Sequence, residues 1–340
     1  MSTGDQPDWR TKPRKDQSPT VIGDSKKFWK WSKEEGFDLT HPPTPNSDPV
    51  QPRLKLQCAM TPIVIDPAKT ALLIIDLQNY DLHEASGNNN PEFYRAEDII
   101  LQYAIPAARE TGIQIIWVTT GYSDQDLKQM DPGVFKTFNF MPVETSPDWQ
   151  KLPLGQGWSN KGMFRNQKGV GDEIGEVKDK NGKVIDGGRI LVKGSWNSWL
   201  HDPLSDAYYE GKRADVVPPD VHFHRNRSSG MCDRMKDVTR VLKQNNLQTF
   251  LFTGISIDQC VMGTLQDAYL KGFDTILLKD GCATDSPSYA QWSVEHSCLI
   301  SWGFLSSCKD FAVTAGPKVD KMEDVEEAEF PEPFRSCRCS

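Results

Sequence analysis

Apolar residues along this chain gather into short unbroken runs, and the stretches between the runs carry helical spacing. Residues 69–78 (KTALLIIDLQ) and 113–122 (IQIIWVTTGY) are two such runs of strand length. Between them, EDIILQYAIPAARETG (97–112) spaces its apolar positions for a helix that stops at Gly112. The alternation returns further on. MKDVTRVLKQNN predicts a helix through Met235, Val238, Val241 and Leu242, and QTFLFTGIS (248–256) predicts a buried strand. A helix from about Gln259 to Lys271 follows, capped by Gly272, and then a strand over DTILLKD (274–280). Ser286-Pro287 opens one more helix, with a side-chain cap and Pro at its first position, and GFLSS supplies a last short strand. Strands apolar on both faces and separated by helices predict an α/β fold, a parallel sheet covered on both sides and joined by right-handed crossovers.

Three segments fall outside this pattern. Residues 1–65 are rich in Pro, Lys, Asp and Ser and offer no periodic apolar face, so they predict an extended, partly disordered arm. Its aromatic piece FWKWSKEEGF is expected to be buried against the body or a neighbouring subunit. Residues 123–212 interrupt the body of 66–315 with many Gly, Trp and Asn and with an NG turn that predicts a hairpin; this insertion reads as a lid or rim. Residues 316–340 form an acidic tail whose SCRCS pair reads as part of an unstructured end rather than a metal or redox site.

Composition narrows the partners. With 37% hydrophobic and 25% charged residues and a net charge of −8, the chain is globular and lacks the basic surface of a nucleic-acid or anionic-membrane binder. Small molecules are the expected partners. No window has the apolar length of a membrane span, and the first residues lack a secretory signal's apolar stretch. Eight cysteines without a CxxC spacing suggest reduced thiols and a cytoplasmic protein.

Ligands of open parallel sheets bind beyond the carboxyl ends of the strands, so polar residues that end apolar runs are the first candidates. Asp76 ends the first strand; alone, it serves equally well as a cap. Cys260 begins a helix after a strand ending near Gly254. Free N–H groups and partial positive charge at such a terminus favour thiolate and can hold an oxyanion, although a lone Cys is more often a small buried hydrophobe. His222 and His224, two apart on a strand, would share a face; without a companion cluster they read as a packed or hydrogen-bonded pair, and no metal or other cofactor is expected.

DLQ after an apolar strand, then TGxxxDxCVxxTxxDAxxxGF at 253–273, then a strand ending in KDGCAT, resembles the isochorismatase-like cysteine hydrolases. The likeness covers roughly residues 66–315, with the insertion unmatched. It implies a six-stranded Rossmann-type sheet, a homo-oligomer (dimer or tetramer), and an Asp, Lys and Cys triad acting on C–N bonds of amides, ureido or carbamoyl compounds. By position it assigns Asp76 and Cys260, and it places a cis peptide at Ile255–Ser256, whose N–H groups, with that of Cys260, would receive the oxyanion. Nicotinamidases in the family bind metal through an Asp-x-His that TTGYSDQD lacks.

One position departs from the pattern. The family's Lys-x-Arg-x-Ser-Gly segment is matched by RNRSSGM, which puts Arg225 in the lysine's place. Arginine keeps the charge but is forked and does not give up its proton. Lys193, the alternative by residue type, reads as surface or rim. Gln78, Trp196 and Asp258 are expected in the substrate pocket from their positions. The function implied is cysteine-dependent hydrolysis through a Cys260 thioester. A catalytically silent binding protein, with Arg225 as the lesion, is one alternative; vinyl ether hydrolysis of the isochorismate type is another, disfavoured by the retained Cys260.

Overall fold

The computed structural model describes residues 19–86, 90–142, 163–165, 168–179, 181–213, 215–232 and 236–316. The acidic run with its CxC pair, the first 18 residues and Met235 lie outside them.

Five apolar runs and the partly polar VHFHR form a six-stranded, wholly parallel sheet: β1 (Thr70–Ile75), β2 (Gln114–Thr120), β3 (Val221–Arg225), β4 (Thr249–Ile255), β5 (Asp274–Ala283) and β6 (Phe304–Ser306). Their order is β3-β2-β1-β4-β5-β6. Every residue of β1, β2 and β4 is buried, as expected of strands with helices on both faces. Gly254 allows β4 to lie against β1: its φ is +118°, and a Cβ there would meet the Ile75 carbonyl oxygen at 2.1 Å.

Helix α1 runs Pro91–Ile99, passes through a π-helical turn at Ile100–Ala104, and ends with Ile105–Thr111 at Gly112, a left-handed cap with φ 72°. The wide turn immediately precedes Pro106, whose ring would otherwise press on the carbonyl four residues back. On the same face lie α2 (Asp202–Gly211) and, near the end of the chain, Cys308–Ala315, packed over Leu72, Ile74, Ile115, Trp117, Leu251 and Ile276. The opposite face is covered by α3 (Lys236–Gln244), α4 (Met262–Leu270) and α5 (Ser288–Ser297), over Leu73, Ile75, Val118, Phe250 and Phe252. The result is the predicted three-layer, doubly covered α/β arrangement. Among the described residues, no helix is long and apolar enough to cross a membrane.

Two segments differ from the sequence expectation. Within the N-terminal stretch, Thr20–Gly23, Phe28–Ser32, Gly36–Asp38, Ile63–Ile65 and Leu54–Leu56 pair in that order as a five-stranded mixed sheet. It does carry an apolar face: Leu39, Leu56, Ile63 and Ile65 are buried in the body's core. Strands of three to five residues were too short to show a period. Trp29 packs on Phe37 and Phe304 and donates to Asp274 at 3.0 Å, so the aromatic piece is anchored on the body.

The second difference is α2, inside the insertion that showed little periodicity. It supplies the crossover between β2 and β3. Leu204, Ala207, Tyr208 and Gly211 follow one helical face, and Asp202-Pro203 opens it, a signal that was present in the sequence. The predicted hairpin forms from Glu176–Lys178 and Val184–Asp186.

Candidate active site

Parallel strands deliver their C-terminal ends to one edge of the sheet. Here β2 continues on one side of β1 while β4 lies on the other, so the chain changes direction between β1 and β4. A crevice opens at such a reversal. Into it project Asp76, which follows β1; Thr120, which ends β2; Arg225, which ends β3; and the Ile255–Cys260 segment, which follows β4. At Asp76 the backbone leaves the strand with φ 55°, and its N–H is tied to the Val118 carbonyl at 2.8 Å. The Ile255–Ser256 peptide is cis.

Three side chains meet. The Arg225 guanidinium is a bidentate donor to Asp76, through Nε to Oδ1 at 3.2 Å and through Nη2 to Oδ2. The same Nη2 lies 2.7 Å from Cys260 Sγ, and Nη1 donates to the Arg227 carbonyl. Asp76 Oδ1 also accepts from Thr120 Oγ1 at 3.2 Å. Arg225 is 1% exposed and Asp76 4%, so this ion pair works almost without solvent screening.

Electrostatics at the sulfur differ from the expectation of an activated resting thiolate. Burial pushes the Cys260 thiol well above its ordinary value; Arg225 opposes this and the Asp76 carboxylate adds to it. The resting group is a thiol beside the Asp76 carboxylate. Burial disfavours the Arg225 charge as well, but Asp76 and Cys260 more than offset that and hold the guanidinium protonated.

A cavity of about 100 Å³ opens above these groups. Its walls include Tyr80, Asp81 and Tyr122, with Val134, Phe138 and Leu191 from the insertion. Burial, and after it the Asp76 charge, holds the Asp81 carboxyl well above the usual carboxylate range. Asp81 and Tyr122 escaped the sequence reading. Asp81 lies six residues beyond the end of β1, in the short helical turn Asn79–Leu82, and Tyr122 two beyond the end of β2.

The residues expected to line the pocket do other work. Gln78, fully buried, donates to the carbonyls of Thr120 and Ser198 at 2.9 and 2.8 Å and accepts from the Thr120 N–H at 2.7 Å, clamping β2 to the insertion. Trp196 packs edge-on against His83, and Asp258 accepts from Thr284 Oγ1 at 2.6 Å. None of the three lines the cavity. Lys193 also lies off the cavity, where its charge acts on Asp126 and His224. His222 and His224 both hydrogen-bond Thr119 Oγ1, at 2.8 and 2.9 Å, while Trp199 packs on His222. Among the described residues, no group of three or more His, Cys, Asp or Glu is placed to hold a metal ion.

Fold and site together define a three-layer α/β protein with an Asp–Arg–Cys constellation at the reversal point of its sheet. The isochorismatase domain family model matches residues 192–297. The ureidoacrylate amidohydrolase RutB of Caulobacter segnis is 24% identical over 279 residues, spanning 79% of this chain and 97% of the relative. That of Pseudomonas savastanoi pv. phaseolicola is 24% identical over 271 residues, 78% of this chain and 92% of the relative. Among solved structures, a cysteine hydrolase from Pseudomonas syringae pv. phaseolicola superposes with a TM-score of 0.49 at 13% identity, over 78% of this chain and 98% of that one. The nicotinamidase PncA of Bacillus subtilis gives 0.46 at 16% identity, over 70% and 99%. Over residues 192–297 this chain resembles the isochorismatase domain family.

Proposed function

We propose that this protein hydrolyses a C–N bond of a small amide, ureido or carbamoyl compound, with Cys260 as the nucleophile. The observation that carries the proposal is the single guanidinium of Arg225 bound to both Asp76 and Cys260. The names of the sequence relatives, amidohydrolases acting on a ureido acid, support the reaction class.

In this reaction the thiol proton passes to Asp76 as sulfur attacks the carbonyl carbon. The N–H groups of Ser256 and Cys260 receive the oxyanion. As the C–N bond breaks, Asp76 returns the proton to the leaving nitrogen, and a thioester remains on Cys260. Water attacks the thioester, gives a proton to Asp76, and releases the acid while the thiol is restored. Arg225 moves no proton. Its fixed charge stabilises developing thiolate, which is how a thiol buried at high pKa becomes usable only when a substrate is present.

Intact mass spectrometry during turnover of a slowly hydrolysed amide tests this. An acyl adduct on the full chain, absent from Cys260→Ala, is expected. Hydrolysis that survives Cys260→Ala, or the absence of an adduct and of turnover across amides, ureides and carbamoyl compounds, would sink it.

A further inference from the structure

The mechanism above uses the Asp76, Arg225 and Cys260 side chains, and among the other polar side chains that line the cavity Asp81 and Tyr122 stand out. Asp81 forms no side-chain hydrogen bond or ion pair among the described residues, and its carboxyl lines the cavity beside Asp76. Tyr122 is 1% exposed, and its hydroxyl has no hydrogen-bond partner although buried polar groups are normally paired. That hydroxyl lies close enough to Arg225, Asp76 and Cys260 to feel the charge of each, which puts it on the reaction side of the ring.

The cavity also has an uneven charge balance. Among the described lining residues Arg225 is the one cation, and its donors are committed to Asp76, Cys260 and the Arg227 carbonyl. Arg227, nearby, is paired with Asp131 at 2.8 Å. A substrate carboxylate would find the Asp76 carboxylate, an Asp81 carboxyl held towards its neutral form, and no uncommitted cation among the described lining residues, whereas a cationic group would draw Asp81 into its ionised form. A group bearing N–H would find two acceptors, the Asp81 carboxyl and the Tyr122 oxygen, that gain the hydrogen bonds they lack.

We infer that Asp81 and Tyr122 form the specificity-determining end of the site and select small amides whose remote end is neutral or cationic and carries N–H, against those that carry a carboxylate. This rests on the hydrolase reading for its reaction, and it separates the chain from relatives whose name specifies a ureido acid. Discrimination of this kind comes from an unfavourable pairing against the wrong ligand as much as from contacts to the right one.

Three amides of similar size and a common primary amide test the inference: butanamide, 3-aminopropanamide and 4-amino-4-oxobutanoate. Binding is measured by ligand-observed NMR titration of the full-length Cys260→Ala variant, which cannot form an adduct, and turnover by ammonia release from the wild type. The anionic amide is expected to bind at least about tenfold more weakly than the other two, with 3-aminopropanamide the tightest. Asp81→Asn is expected to remove most of the gap between the cationic and anionic amides, and Tyr122→Phe to weaken all three by about threefold to tenfold. Equal or tighter binding of the anion, no binding of any amide, or an order unchanged by Asp81→Asn overturns the inference. If Asp81→Asn does not fold, the order of the three ligands on Cys260→Ala decides alone. Retention of that order without turnover or adduct in the wild type would instead remove the hydrolase reading and leave the selectivity standing.

Discussion

Arg225 Nη2 sits 2.7 Å from Cys260 Sγ while the same guanidinium grips Asp76, so one side chain contacts both proposed reacting groups. The lysine position of the family pattern is thus filled by a residue that reaches both partners at once. Whatever Arg225 loses in its inability to donate a proton, it retains in charge and in planar, two-point geometry.

Substitutions at Arg225 separate charge from geometry. Arg225→Gln leaves Asp76 buried without its cation, a change that costs about 3–5 kcal/mol of stability, and it is expected to lower kcat/KM by at least about 100-fold. Arg225→Lys keeps the charge and is expected to retain activity within about tenfold of the wild type. Denaturant midpoints and kcat/KM on the same preparations check both. Equal losses for the two variants would show that charge is not what the position supplies.

Cys260 should respond in opposite directions to its two neighbours. Asp76 raises its pKa and Arg225 lowers it. Asp76→Asn is therefore expected to move the pH midpoint of iodoacetamide alkylation downward, and Arg225→Gln to move it upward, with the wild type between them. Peptide mapping at Cys260 across a pH series reads the order. A midpoint in the wild type below the free-thiol value of about 8.5 would contradict the buried, thiol-form resting state.

His222 and His224 make the native state sensitive to acid. Burial lowers them from 6.5 to about 3 and about 4. In the unfolded chain both take up protons near pH 6.5, so below that value the unfolded state binds more protons and stability falls as pH drops towards 4. Above pH 6.5 both states are neutral at these rings and the effect is absent. Replacing both with Asn is expected to flatten the fall in urea midpoint between about pH 7 and 4.5. An unchanged slope in the double variant would assign the acid sensitivity elsewhere.

Gln78 holds the site together without touching the cavity. Gln78→Leu strands the Thr120 N–H and the Thr120 and Ser198 carbonyls in a dry interior, for a cost of about 2–5 kcal/mol. Because Thr120 also donates to Asp76, kcat/KM is expected to fall in protein that remains folded. Thermal unfolding and kinetics at low temperature separate the two effects. A variant with wild-type stability would show that water replaces the amide.

Much of this was legible in the chain. Continuous apolar runs made β1, β2 and β4 readable because strands buried on both faces leave an uninterrupted record in sequence. Asp76 and Cys260 were readable because each follows such a run, where a parallel sheet delivers its polar residues, whereas Arg225, at the end of the partly polar VHFHR, was readable only through the resemblance of RNRSSGM to the family's segment. What only the tertiary structure decided is the rest of the site. The short N-terminal strands acquire a buried face only by lying on the body. Gln78 becomes a clamp and Asp81 a wall because the insertion folds against the strand ends and fixes which side of each residue meets the cavity. The thiol state of Cys260 likewise depends on three-dimensional burial and on the distances to Asp76 and Arg225. A helix N-terminus read along the chain shows its favourable dipole but not the desolvation that here outweighs it.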